Sequence, residues 1–104
     1  MGTAKSDEFS VRDNRIAEYA KALSSPARIA ILRVLIEKET CMCGDIVEEI
    51  PLSQSTVSQH LKALRKAGFI KTIAEGTAVQ YAIDDKNWES VRKVFKKFFS
   101  SLPD

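Results

Sequence analysis

The chain has 104 residues, 44% apolar and 29% charged, with a net charge of +2. That is ordinary for one small globular domain and too short for two independent cores. No apolar run approaches the roughly 20 residues that cross a bilayer. The polar start Met1 to Ser10 has no hydrophobic signal region, so a cytoplasmic location is expected.

Charge is unevenly spread. Glu37, Glu39, Asp45, Glu48 and Glu49 stand against Lys38 alone, whereas Gln54 to Lys71 carries Lys62, Arg65, Lys66 and Lys71 and no acid. A basic segment beside an acidic one makes a directional field that suits an anionic partner on one face.

Residues 1–10 read as a flexible arm, and residues 11–104 as a single domain. The first helix, α1, is predicted from about Arg12 to Leu23, with Ile16, Tyr19, Ala20 and Leu23 on one stripe. Ser25 is suited to cap the next helix, with Pro26 at its first position. That helix, α2, runs to about Lys38 and is apolar nearly all round, as a central core helix should be. A short α3 from about Gly44 to Ile50 stops at Pro51. Ser53 then caps α4, Gln54 to Ala67, and Gly68 ends it. Two helices joined by so tight a connection form a helix-turn-helix.

Beyond Gly68 the apolar period falls to two. The runs from Phe69 to Ile73 and from Val79 to Ile83 become strands β1 and β2, joined by a turn at Glu75-Gly76-Thr77. Asp84-Asp85 caps a last helix, α5, about Lys86 to Leu102, with Asn87 as a rival cap. The expected fold is mainly α with a small β-hairpin: a winged helix-turn-helix of order α1-α2-α3-α4-β-β-α5.

On a helical wheel of α4 at ~100° per residue, Val57, Leu61 and Leu64 make the buried stripe. Ser55, Gln59, Lys62 and Lys66 stand opposite, flanked by Thr56 and Ser58. Gln can bond adenine edges bidentately, hydroxyls reach base edges or phosphates, and cations neutralise phosphate. Candidate DNA contacts are therefore Ser53, Gln54, Ser55, Thr56, Ser58 and Gln59 as readers, with Lys62, Arg65, Lys66 and Lys71 as anchors. His60 lies nearer the core side and is expected to bond a local carbonyl, with a phosphate contact as the alternative.

In α5, Trp88, Val91, Val94, Phe95, Phe98, Phe99 and Leu102 share one arc. A domain this small gains about 1.5–3 kcal/mol for each such side chain it buries. Part of the arc can close the chain's own core, and the rest suits a second copy. The expected homodimer interface joins the first and last helices through Ile16, Tyr19, Leu23, Trp88, Val91, Phe95, Phe98 and Phe99. A two-fold pair also suits a pseudo-palindromic double-stranded DNA operator.

Cys41 and Cys43 flank Met42 just before α3. Two thiolates can take a soft metal or metalloid such as arsenite, or can oxidise, but a closed tetrahedral site needs four ligands. The neutral alternative is two small semi-buried hydrophobes. The sequence carries no nucleophile elbow, phosphate loop or zincin motif, so an enzyme is not expected. A protein-interaction module built on the same fold is the rival class.

The run Leu23-Ser-Ser-Pro-Ala-Arg-Ile-Ala-Ile-Leu-Arg-Val-Leu35 resembles the second-helix signature of the arsenic-repressor (ArsR/SmtB) family. Leu52 to Ile70 is similar to that family's recognition helix and the start of its wing, and Glu75-Gly76 and Tyr81 fit its hairpin. The resemblance spans about residues 12 to 100. It implies a homodimeric repressor relieved by an inducer. Family metal sensors carry Cys-x-Cys at the third helix, but counting back from Ser53 places those positions at Met42 and Gly44. The family's other metal site uses His on the last helix, where this chain offers Asp84 and Asp85 only. Thr77 stands where many family wings carry Arg, which leaves Lys71 as the wing's main expected phosphate contact.

Overall fold

A computed structural model describes residues 8–103. Most of the expected arm, residues 1–7, lies outside the described residues. The elements are α1 (Val11–Ala22), α2 (Pro26–Lys38), α3 (Cys43–Glu49), α4 (Gln54–Lys66), β1 (Ile70–Glu75), β2 (Ala78–Ile83) and α5 (Asp85–Phe99). This is the predicted order, and the helix bounds differ from the expected ones by at most about one turn.

Side-chain oxygens start four of the helices where the sequence placed them or close by. Ser10, Ser25, Ser53 and Asp84 each accept a backbone N–H three residues on, satisfying an orphan donor of the first turn. Asp84 is the cap of α5. Asn87, the rival, instead donates its amide to the Gly68 carbonyl. Before α3, the Asp45 carboxylate accepts the Met42 N–H at 3.0 Å, the back-reaching half of a capping box.

The core gathers Ile31, Leu32 and Leu35 of α2, Ile46 of α3, Val57, Leu61 and Leu64 of α4, and Phe69 and Ile70 at the root of the wing. Helix α2 is therefore central, as its composition predicts. Ile36 is the exception: it projects outward, 56% exposed.

The hairpin pairs Ile70 with Ile83, Lys71 with Ala82, Thr72 with Tyr81 and Glu75 with Ala78. Only Gly76-Thr77 remains as the loop, one residue tighter than expected. Gly76 has φ 61° and Thr77 is not in the positive-φ region, which is the pattern of a type II′ turn with glycine first. Cys41 adds a one-residue third strand. Its N–H donates to the Tyr81 carbonyl at 3.0 Å, and the Tyr81 N–H donates to the Cys41 carbonyl at 2.8 Å.

An aromatic cluster fastens the wing root to the first and last helices. Buried Phe69 meets Tyr19 edge-on at 5.7 Å and Trp88 at 6.0 Å, and Tyr19 meets Phe95 at 6.4 Å. Such pairs contribute about 0.5–1.5 kcal/mol beyond simple burial.

Candidate nucleic-acid interface

Helix α4 hangs on its buried stripe. Val57, Leu61 and Leu64 are fully enclosed, so Gln54, Ser55, Ser58, Gln59, Lys62, Arg65 and Lys66 must face outward, and all seven are exposed. Among the described residues, none of Lys62, Arg65, Lys66 and Lys71 forms an ion pair. Their charge is therefore not neutralised by an ion pair with an acid among those residues. The helix is about 20 Å long, short enough to lie within a major groove.

The hydroxyls at its start are linked. The Ser53 hydroxyl accepts the Thr56 N–H at 3.3 Å, donates to the Thr56 hydroxyl at 2.9 Å, and lies 3.2 Å from the Ser55 hydroxyl. Ser53 is first a helix cap, and Thr56 is half-buried. Ser55, Ser58 and Gln59 are exposed.

The helix ends in a Schellman motif. The Phe69 N–H donates to the Leu64 carbonyl and the Gly68 N–H to the Arg65 carbonyl, both at 3.0 Å, with Gly68 at φ 90°. This reversal sends the chain directly into β1 and fixes the wing beside the helix.

His60 is half-buried but bonds no local carbonyl. Its Nδ1 accepts the Arg28 Nε–H at 3.3 Å, and Arg28 also donates to the Ala22 carbonyl at 3.4 Å. Arg28 thereby ties the end of α1 to the middle of α4. The partner is 32 residues away in sequence, so local reading had no means of finding it.

Lys71 stands apart from the cations of α4. Strand alternation puts it with Ile73 and Ala82 on the hairpin face that turns from α4, where it lines a hollow with Glu39, Asp85, Trp88 and Arg92. The opposite face presents Tyr81 to α4. Tyr81 lines a smaller hollow with Ser58, Gln59, Leu61, Lys62 and Arg65. Only its pairing register, invisible before the turn length was known, settles which way it points.

The expected subunit face divides. Val91 is enclosed within the chain, which leaves almost none of it for a second copy. Tyr19, Leu23, Trp88 and Phe95 are partly buried against the core, and Ile16 is half-buried. Phe98, Phe99 and Leu102 stay open, at 48%, 70% and 79% exposure.

Cys41 is 1% exposed and held in the bridge to Tyr81, whereas Cys43 is half-buried at the start of α3. Burial pushes both thiols above their usual pKa, and for Cys41 the nearby Asp45 carboxylate adds to the rise. Among the described residues no group of three or more His, Cys, Asp or Glu could hold a metal ion. The two thiols of one chain therefore do not by themselves make a closed metal site.

Residues 25–72 match the family described as bacterial regulatory protein, arsR family. An HTH-type transcriptional regulator of Methanocaldococcus jannaschii is 39% identical over 82 residues, covering 77% of this chain and 91% of the relative. The chain belongs to the arsR family of bacterial regulatory proteins. Its other relatives agree with that. The cadmium resistance transcriptional regulatory protein CadC homolog of Staphylococcus aureus is 37% identical over 100 residues, 95% of this chain and 79% of the relative. The crystal structure of Rv0081 of Mycobacterium tuberculosis superposes with a TM-score of 0.67 at 31% identity, covering 89% of this arsR-family chain and 97% of that one. The fold is thus a winged helix-turn-helix, and the protein is a DNA-binding transcriptional regulator. The names of these relatives are those of regulators, not enzymes. Among the described residues, no helix is long and apolar enough to cross a membrane.

Proposed function

We propose that the chain is a homodimeric repressor that reads a pseudo-palindromic operator with Ser55 and Gln59 and grips phosphates with Ser58, Lys62, Arg65 and Lys66. One observation carries this reading: the outward face of α4 is exposed, acid-free and, among the described residues, without ion pairs, while its inner stripe is locked in the core. Gln54, Ser53 and Thr56 support that face at its start, where helix-turn-helix proteins contact base edges. The second copy docks on the open end of α5 and the outer side of α1.

The inducer acts at Cys41 and Cys43. Support comes from the position of Cys41, whose backbone carries β2, and from the cadmium-resistance name of one relative. A metal or metalloid such as arsenite needs a donor beyond these two sulfurs, from a second copy or from outside the described residues. Thiol oxidation needs none.

The decisive measurement is fluorescence anisotropy against duplexes selected by the protein from a random pool. Gln59→Ala is expected to lose preference between selected and scrambled duplexes. Lys66→Ala is expected to weaken both alike. If both variants keep full specific binding, α4 is not the reading helix. Titrating the DNA complex with arsenite, zinc or peroxide then identifies the inducer, and Cys43→Ser is expected to abolish the release.

A further inference from the structure

We propose that Tyr81 completes a seat for one backbone phosphate of duplex DNA, built with Ser58, Lys62 and Arg65 in the hollow between α4 and the wing. The inference rests on the DNA-binding role of α4 and adds a residue that neither the charge pattern nor the helical wheel selects.

The hollow has a volume of about 350 Å³. Its helix side supplies two cations and a hydroxyl, and its wing side supplies the phenol. Lys62 and Arg65 have no carboxylate partner among the described residues. The Tyr81 hydroxyl makes no hydrogen bond within the chain among those residues. The site therefore holds four unspent donors facing one space and no acceptor of full negative charge. A phosphodiester carries a single charge and two free oxygens, which is the complement of that set.

The phenol is also held in place. Its backbone N–H and carbonyl are both bonded to Cys41, at 2.8 and 3.0 Å, and Thr72 stands opposite it across the hairpin. The ring has two rotatable bonds and is half-buried beside Leu61. A donor fixed in this way orients a phosphate, whereas the flexible lysine mainly neutralises it. The phosphate strand then runs between wing and helix and fixes the register in which Gln59 meets the bases.

The roles separate by salt. A neutral donor displaces no counterion, so removing the phenol oxygen lowers affinity without changing the dependence on salt. Anisotropy with a pool-selected duplex is expected to show Tyr81→Phe raising Kd about 3- to 10-fold for each half-site, the range for one hydrogen bond, and so about 10- to 100-fold for the dimer. The slope of log K against log salt is expected to stay unchanged, and melting should match wild type because the ring is kept. Lys62→Ala is expected to flatten the slope by about 0.9 for each phosphate lost.

A scan of single methylphosphonates along the duplex then locates the seat. At one phosphate per half-site, Tyr81→Phe and wild type should bind equally. Equal binding of the two proteins on every unmodified duplex overturns the proposal. So does a defect that persists undiminished at all methylphosphonate positions, since the ring would then act on the fold. If Tyr81→Phe melts early, Ser58→Ala on the solvent side of the hollow replaces it in the same scan. Loss of its defect at that one phosphate supports the seat, and a defect undiminished everywhere overturns it. Failure of the wild-type protein to select any duplex would sink the DNA reading itself, not the seat alone.

Discussion

Gly68 sits at φ 90°, where an L side chain is strained, and a Cβ there would lie 2.7 Å from the Asn87 amide nitrogen. Both effects oppose any other residue. Gly68→Ala is expected to destabilise the fold by about 2 kcal/mol or more, measured by urea unfolding. Trimming Asn87 to Ala in the same chain should recover the steric part and leave the backbone part. The cysteines make a second prediction at this scale. Their raised pKa keeps them protonated at neutral pH, so alkylation of the folded protein should be slower than that of a free thiol at pH 7–8. A proton held more tightly when folded stabilises below the unfolded pKa. That stability is fully present in neutral solution and is lost as pH rises above about 9 through the folded values. Stability that is flat from pH 8 to 11 in a Cys41→Ser, Cys43→Ser comparison with wild type would contradict it. Caps were legible residue by residue, because Ser25, Ser53 and Asp84 act on neighbours three positions away. The Arg28–His60 bond was not, because nothing local encodes a partner on another helix.

Helix α5 carries two different surfaces along one apolar arc. Its first half, Trp88 and Val91, packs on the chain's own core, while Phe98 and Phe99 meet edge-on in the open at 5.3 Å. Periodicity reveals such an arc but not where along it the intrachain core stops, so it does not separate enclosed Val91 from open Phe98 and Phe99. Phe99→Asp is expected to split the homodimer without unfolding the monomer. Two-fold symmetry removes the ring twice, so the change amounts to about 3–6 kcal/mol, or roughly 100- to 10,000-fold in the dissociation constant. Sedimentation velocity at micromolar protein checks it, and an unchanged dimer would move the interface elsewhere. The wing makes a parallel case. Alternation found both strands, yet Lys71 and Tyr81 could be placed on their faces only once the two-residue loop had set the register.

The fold as a whole was legible because helical period, capping residues and turn glycine all agree along the chain. What was not legible lies between elements: the third-strand bridge of Cys41, the long-range tie of Arg28, and the hollow closed by Tyr81. For the proposed dimer on DNA, three cations per chain neutralise about six phosphates, which gives an expected slope of log K against log salt near −5. A slope close to zero would remove electrostatics from the account. The paired reading helices must also fit successive major grooves, about 34–36 Å apart, so inserting half a turn between half-sites should abolish tight binding.

The bond from Asn87 to the Gly68 carbonyl, with the Asp84 N–H on the Phe69 carbonyl at 3.0 Å, joins the first turn of α5 to the last turn of α4. Two successive carbonyls are clamped there, Gly68 by a side-chain amide and Phe69 by a backbone N–H. A small swivel of α5 is therefore geared to the tail of α4 and need not be relayed through repacking of the interior. In the proposed dimer, whatever alters the way two copies lean together would also tilt the pair of rods offered to the grooves.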